Sequence, residues 1–242
     1  MIPPGSYSRM PGGGISRRPL HLIILADCSG GMKGEKIQAL NYAIADMMPH
    51  LEEWERDQEQ AQVFVRAIAF ATEPRWHIQD PTPVVGIRWK PLQAVHKGLT
   101  NMGAAFAMAA DVLAPGMIER RALRPALLLI TDGLATDPPG AFEAGLGALM
   151  AQPAGRAALR LSIAIGRDAQ SDSLNKFIGD PSVPVLVADS TEDIADRLVA
   201  ASLAVSRMSE SGADRGAVAR KLFGMPQGQD IPSAIFNQDT II

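Results

Sequence analysis

Short, uninterrupted apolar runs recur along the chain, separated by longer stretches of mixed polarity. A run of this kind is typical of a strand that is buried on both faces, as in the centre of a parallel sheet. Four runs and a shorter fifth predict strands at Leu20–Ala26, Val63–Phe70, Ala126–Thr131, Leu159–Ile165 and Val183–Ala188. The pattern therefore predicts a sheet whose strands are mostly parallel.

Between these runs the apolar residues recur with helical spacing. From Ile37 to Glu53 they follow a period of about 3.6 residues, which predicts an amphipathic helix. Further helices are predicted at Ala104–Leu113, Ala141–Met150, Ser171–Ile178 and Thr191–Ser206. Because strands and helices alternate, the predicted fold class is α/β: a doubly wound, mostly parallel sheet flanked by helices.

The segment Thr72–Lys90 interrupts this alternation. It contains Pro74, Pro81 and Pro83 among polar residues. Proline cannot donate a hydrogen bond to a neighbouring strand, so within sheets it is confined to edges and bulges. We therefore expect a short edge strand or a hairpin in this segment.

The two ends of the chain differ in composition from the middle. Residues 1–18 are rich in Pro, Gly and Ser and lack the apolar segment of a signal peptide, so we expect a flexible arm. Residues 19–206 carry the α/β pattern and predict a single domain. Residues 207–242 are polar and contain Pro, Gln and Gly, which predicts an extended tail.

The composition of the chain limits which binding partners and which cellular compartment are expected. The formal net charge of −3 gives no electrostatic reason to expect nucleic acid or an anionic membrane as partner. No apolar run approaches the roughly 18 residues of a membrane span. Cys28 is the single cysteine, which excludes an intrachain disulfide and a four-cysteine zinc site. We expect a cytoplasmic protein.

Oxygen-bearing side chains follow two of the predicted strands. Asp27 and Ser29 follow the first strand on a glycine-rich turn, Asp132 follows the third, and Thr100 precedes a predicted helix. Ligands of open α/β sheets bind outside the carboxyl ends of the strands, so these four side chains are candidates for one site. Carboxylates and hydroxyls without His or thiolate favour Mg²⁺, Mn²⁺ or Ca²⁺ over zinc.

Structural interpretations of the same residues stand beside this one. Asp27 and Ser29 also suit the capping of the next helix, which is the usual role of a lone Asp-x-Ser. Thr136 and Asp137 predict a turn and a cap. Cys28 predicts a packed thiol in the core rather than a reactive one. The four histidines lie far apart and give no zinc motif, and no phosphate-loop motif is present.

Three motifs together resemble the von Willebrand factor A (VWA) domain. They are Asp27-Cys28-Ser29-Gly30-Gly31-Met32, Thr100-Asn101-Met102-Gly103 and Ile130-Thr131-Asp132-Gly133. The resemblance covers about residues 19–206 and implies the VWA fold. It also implies a metal-ion-dependent adhesion site (MIDAS), with Mg²⁺, or Mn²⁺ or Ca²⁺, at Asp27, Ser29, Thr100 and Asp132.

One position departs from the family's D-x-S-x-S pattern. The second serine is Gly31 in this chain, so one hydroxyl ligand is missing. A water in its place costs up to about 2 kcal/mol to immobilise. We therefore expect metal binding to be weakened or absent.

The resemblance implies a protein-recognition module rather than an enzyme, with an acidic residue of another protein completing the metal site. Lys33–Asn41 and Thr131–Asp137 further resemble short bacterial TerY-like VWA proteins, which are linked to tellurite resistance and stress and occur alongside a protein kinase and a PP2C-type phosphatase. Two alternatives stay open: a metal-independent structural subunit, and a Mg²⁺-dependent phosphohydrolase using Asp27 and Asp132. Lys33 is the one basic residue in the site loops, which disfavours the phosphohydrolase.

Overall fold

The computed structural model describes residues 17–57, 59–133, 135–166 and 171–188. The predicted helix Thr191–Ser206, the tail 207–242 and nearly all of the expected N-terminal arm lie outside the described residues. The domain boundary at residue 206 therefore stays a prediction.

The described strands form one sheet in the order β3-β2-β1-β4-β5-β6. β1 lies at its centre and pairs in parallel with both β2 and β4, and β4 continues in parallel to β5 and β6. The strand bounds are β1 Arg18–Asp27, β2 Ala61–Phe70, β3 Pro74–Pro83, β4 Ala126–Thr131, β5 Leu159–Ile165 and β6 Leu186–Ala188. The doubly wound, mostly parallel sheet predicted from the sequence is confirmed.

The proline-containing segment forms an edge strand, as predicted. β3 pairs antiparallel with β2, from Phe70 opposite Pro74 to Phe64 opposite Pro83, with two register shifts along the ladder. Its position at the edge explains why three prolines are tolerated in or at the ends of one strand.

Helices connect the strands, and the predicted ones within the described residues are confirmed with shifts at their ends. Two short elements were not predicted: a single 3-10 turn at Gly30–Met32 and the five-residue helix α4, which begins at Pro153. No described helix has both the length and the apolar character needed to cross a membrane. The bounds are α1 Glu35–Asp57, α2 Met102–Val112, α3 Ala141–Ala151, α4 Pro153–Ala157 and α5 Ser171–Ile178.

The helices cover both faces of the sheet. The chain steps from β1 to β2 in one direction and from β4 to β5 in the other, so right-handed crossovers place α1 and α3 on opposite faces. The rings on the α3 side pack together: Phe106 of α2 lies edge-on to Phe142 of α3 at 5.4 Å and stacks on Phe177 of α5 at 5.0 Å.

Helices α2 and α3 meet backbone to backbone along a glycine seam formed by Gly103 and Gly145. A β-carbon at Gly103 would collide with the carbonyl of Ala141, and one at Gly145 would collide with the carbonyl of Gly103. Neither glycine is replaceable without moving a helix. The seam fixes the N-terminus of α2, and with it the loop that precedes the helix.

The strand order reverses between β1 and β4, which are neighbours in the sheet although two strands separate them in sequence. In doubly wound sheets this switch point opens a crevice at the carboxyl ends of the two strands. β1 ends at Asp27 and β4 ends at Thr131. The topology thus brings together the turns that follow these two residues.

Candidate functional site

Asp27 is held rigidly at the floor of the crevice. Its side chain is fully buried. The backbone N–H of Ser29 donates to Oδ1 at 2.7 Å, and the hydroxyl of Thr131 donates to Oδ2 at 2.6 Å. Thr131 accepts in turn from the N–H of Gly133 at 3.0 Å. This chain of bonds ties the turn after β1 to the turn after β4. The role of Thr131 was not predicted from the sequence.

Burial raises the pKa of Asp27 from its ordinary 3.8 to about 6. The hydrogen bonds from Thr131 and Ser29 lower this pKa and are outweighed, while the negative charge of Asp132 raises it further. A buried carboxylate next to a second carboxylate is electrostatically unfavourable without a cation. Two carboxylates of the candidate set therefore share one region of negative potential.

Ser29 carries a buried hydroxyl that meets the geometry of a hydrogen bond with none of the described residues, although it lies close enough to Asp27 to lower the pKa of that carboxylate. The residue is only 2% exposed. Its backbone precedes the 3-10 turn, but its side chain makes no capping bond, and α1 starts six residues later at Glu35. The capping interpretation of Asp27 and Ser29 is therefore wrong. Buried hydroxyls without partners are rare, and this one suits a ligand position.

Asp132 lies directly over Gly31. The residue is 6% exposed, and a β-carbon built at Gly31 would collide with Oδ2 and lie 3.1 Å from Cγ. The carboxylate thus occupies the volume in which a serine side chain at position 31 would begin. The glycine that removes one hydroxyl from the site also makes room for a carboxylate.

Lys36 is a basic residue of the site that was not predicted from the sequence. It is the second residue of α1, and its Nζ lies 3.5 Å from Oδ2 of Asp132. Within the loops expected around the site, the sequence has one basic residue, Lys33. The available signal was the helix start itself, because the first turn of the helix after β1 lies over the same edge of the sheet.

Thr100 lies in a loop that is clamped to the turn after β1. Val95 donates its N–H to the carbonyl of Cys28 at 2.7 Å, and Gly30 donates to the carbonyl of Gly98 at 3.0 Å. Thr100 is 4% exposed, and its N–H donates to the hydroxyl of Thr136 at 2.7 Å. The loop therefore brings the third predicted segment to the crevice.

The local turn and cap predicted at Thr136 and Asp137 is replaced by long-range bonds: Asp137 caps the distant helix α2, and Thr136 bonds to Thr100 just before that helix. Oδ1 of Asp137 accepts from the N–H of Gly103 at 2.6 Å at the start of α2. Asn101 caps the same helix by accepting from Ala104 at 3.1 Å. These bonds hold the segment that carries Thr100.

Cys28 is a packed thiol, and this prediction is confirmed. The residue is 1% exposed, and burial together with the charge of Asp27 raises the pKa of the thiol to about 12, against a smaller lowering by Arg75. A thiol in this state is neither a ligand nor a nucleophile at neutral pH.

The donor set fits a hard cation that keeps part of its water shell. Among the described residues no group of three or more His, Cys, Asp or Glu side chains converges, so a thiolate or imidazole centre has no support in this part of the chain. Two carboxylates and the hydroxyls of Ser29 and Thr100 are oxygen donors of the kind that Mg²⁺ uses with water. The fit has two departures from the family pattern, Gly31 and the nearby ammonium of Lys36.

Comparison with known proteins identifies solved structures that have a similar fold. No protein-family model matches the chain, and no curated protein matches it. Among solved structures it is similar to a von Willebrand factor type A protein from Catenulispora acidiphila, at 18% identity over 78% of this chain and 43% of the other, with a TM-score of 0.60. It is also similar to BatB from Bacteroides thetaiotaomicron, at 16% identity over 79% of this chain and 100% of the other, with a TM-score of 0.54.

A third similar structure is proximal thread matrix protein 1 from the mussel byssus with a zinc-occupied MIDAS motif. The identity is 13% over 78% of this chain and 48% of the other, with a TM-score of 0.55. The chain thus matches less than half the length of the Catenulispora and mussel proteins. At these identities the comparisons show the fold, which is that of VWA domains.

Proposed function

We propose that the protein is a VWA-type recognition module that binds a divalent cation at the switch point and, through it, an acidic residue of another protein. The observation that carries this proposal is the hydroxyl of Ser29, which is buried and without a partner in the described structure. It lies two residues after Asp27, whose carboxylate has its pKa raised by burial. A cation that binds hydroxyl and carboxylate oxygens together gives the hydroxyl a partner and the buried carboxylate a counter-charge.

Each site residue has a definite role in this proposal. Asp27 and Asp132 supply the negative charge, and Ser29 and Thr100 supply hydroxyl oxygens. Gly31 supplies no oxygen, so water takes the place of the missing hydroxyl. Mg²⁺ is the favoured ion, with Mn²⁺ and Ca²⁺ as alternatives. The bound ion supplies a positive position for an incoming carboxylate.

The proposal draws support from the fold and from one neighbour. The mussel protein with the same fold binds zinc at its MIDAS motif. In the present chain the residues matching that motif lie at one edge of the sheet, around the β1–β4 switch point.

Titration of the full chain with Mn²⁺ by calorimetry tests the metal part. We expect one ion per chain for the wild type and loss of that binding in Asp132→Asn. If neither Mg²⁺ nor Mn²⁺ binds at millimolar concentration, the proposed metal site is contradicted. Capture of partners from a host lysate with and without EDTA then tests recognition, because the proposal requires that EDTA release the partner.

The ion pair between Lys36 and Asp132 favours a second candidate, a metal-independent structural subunit. In that case partner binding is indifferent to EDTA and to Asp132→Asn. Lys36 also supplies the basic side chain that a phosphohydrolase requires, and release of phosphate from an aryl phosphate with Mg²⁺ tests that activity. A recognition module shows no turnover.

We further propose a cytoplasmic role as a scaffold in a tellurite-resistance or stress system that includes a protein kinase and a PP2C-type phosphatase. This rests on the resemblance of Lys33–Asn41 and Thr131–Asp137 to TerY-like proteins. Co-purification with a kinase and a phosphatase from the host supports it, and a partner set without either enzyme contradicts it.

A further inference from the structure

We propose that Lys36 is a built-in competitor for the divalent ion. Its ammonium pairs with Asp132 in the metal-free protein, and the ion gains Asp132 only by displacing it. This inference rests on the metal site of the proposed function and adds the residue that sets its affinity. It assigns a regulatory role to a side chain outside the motif.

The first observation is the position of the ammonium. Nζ of Lys36 lies 3.5 Å from Oδ2 of Asp132, which is 6% exposed. The same Nζ lies 3.9 Å from the point where a β-carbon on Gly166 would stand. Gly166 follows the end of β5 and has a φ of 94°. The lysine therefore reaches over the carboxyl ends of β4 and β5.

The second observation concerns Gly31. The carboxylate of Asp132 occupies volume that a side chain at position 31 would fill. A serine there, as in the family pattern, is incompatible with this orientation of Asp132. The missing serine and the lysine pair are therefore parts of one arrangement: Gly31 admits the carboxylate, and Lys36 neutralises it there.

The third observation is the exposure of Lys36. Its side chain is 41% exposed, whereas that of Asp132 is 6% exposed. A half-exposed ammonium regains water when it leaves, so the pair is weak enough to be displaced. A charged carboxylate that is only 6% exposed, in contrast, is costly to leave without a positive partner. Exchange of an ammonium for a divalent ion meets both conditions.

Removal of the positive charge is the direct test. Calorimetric titration of the full chain with Mn²⁺ compares the wild type, Lys36→Met, Lys36→Arg and Lys33→Met. We expect Lys36→Met to bind about tenfold more tightly than the wild type, because both the competition and the residual charge repulsion disappear. Lys36→Arg keeps the charge and stays close to the wild type.

Lys33 is the matched control, because it is an exposed lysine three residues before Lys36, just outside α1, and forms no ion pair within the part of the chain that the structure describes. Lys33→Met changes the net charge equally and leaves the Lys36–Asp132 pair in place. We expect less than about a twofold change in affinity, since an exposed charge is screened by salt. An equal gain in both methionine variants would overturn the inference and reduce it to an effect of net charge.

The outcomes separate this inference from the proposed function. Equal Mn²⁺ affinity in the wild type and in Lys36→Met overturns the inference and leaves the metal site standing. No binding in either protein overturns both. Thermal unfolding in EDTA gives a second readout. We expect Lys36→Met to melt at a lower temperature than the wild type, because Asp132 has lost its counter-charge. With Mn²⁺ added, we expect Lys36→Met to melt at the higher temperature. A Lys36→Met protein that melts with or above the wild type in EDTA would contradict the pairing.

Discussion

In two regions of the molecule a glycine avoids a steric clash, but the atoms that a β-carbon would strike differ between the two regions. In the glycine seam of α2 and α3, a β-carbon at Gly103 or Gly145 would meet backbone carbonyls. At Gly31, a β-carbon would meet the end of the Asp132 side chain. A backbone carbonyl moves only with its helix, whereas a carboxylate moves by rotation of its own side chain. The seam is therefore fixed, whereas the contact at Gly31 is adjustable, because the Asp132 side chain can rotate.

The contrast divides the candidate site into two halves. The fixed half contains Thr100, whose loop is held by the α2 N-terminus and by Thr136. The adjustable half contains Asp132 and Lys36. A recognition site built in this way has a constant frame and one carboxylate that is free to change its partner.

The largest expected effect lies in the seam. Gly145→Ala drives a β-carbon into the backbone of α2 and should lower the free energy of unfolding by about 3 kcal/mol or more. Gly147→Ala is the matched control in the same helix, since its β-carbon meets nothing within 4 Å. It should stabilise the protein by up to about 1 kcal/mol. Urea denaturation measures both, and similar values for the two variants would contradict a fixed seam.

The second effect is the pH dependence that Asp27 confers. Burial raises its pKa from 3.8 to about 6 in the folded protein, so the folded state holds this proton more tightly than the unfolded chain. The resulting contribution to stability is complete below pH 3.8 and is lost as the pH rises through 6. The loss amounts to about 3 kcal/mol.

Urea denaturation in EDTA between pH 4 and 8 isolates this contribution by comparing the wild type with Asp27→Asn. The stability of the variant relative to the wild type should rise across that range, because the wild type alone acquires a buried charge. A difference that stays constant with pH would show that Asp27 has no raised pKa. With saturating Mn²⁺ the wild type should regain stability at high pH by mass action.

The smallest effect on stability is expected at the adjustable contact between Gly31 and Asp132. Gly31→Ala should cost about 1 kcal/mol, because Asp132 rotates away and no backbone has to move. Gly31→Ser carries the same β-carbon and adds a hydroxyl. It should bind Mn²⁺ about tenfold more tightly than Gly31→Ala, since the hydroxyl replaces a water that must be ordered. A loss of stability as large as that of Gly145→Ala would remove the distinction between the two regions.

The apolar runs predicted the strands because a sheet buried on both faces leaves a continuous hydrophobic signal. The last run was predicted to start at Val183 but forms a strand only from Leu186, since Pro184 cannot donate to the β5–β6 ladder. The helix α4 was missed because five residues are too few to show a period.

The order of the motifs along the chain predicted which residues belong to the site, but not how their side chains are oriented. The sequence places Asp27, Ser29, Thr100 and Asp132 at strand and helix ends, and the switch point brings their segments together. The orientation of Asp132 over Gly31 and the reach of Lys36 depend on side-chain torsions and on the start of α1. Those features are set by packing, which leaves no periodic trace in the sequence.

The hydroxyl of Ser29 offers the most direct test of the metal site. Calorimetric Mn²⁺ titration and urea denaturation in EDTA should be run on the wild type and on Ser29→Ala. The variant removes a buried hydroxyl that forms no hydrogen bond with the described residues, so its stability in EDTA should equal or exceed that of the wild type, while its Mn²⁺ affinity falls by about tenfold or more. Unchanged Mn²⁺ affinity together with reduced stability would contradict the account, because it would make Ser29 a structural residue rather than a metal ligand.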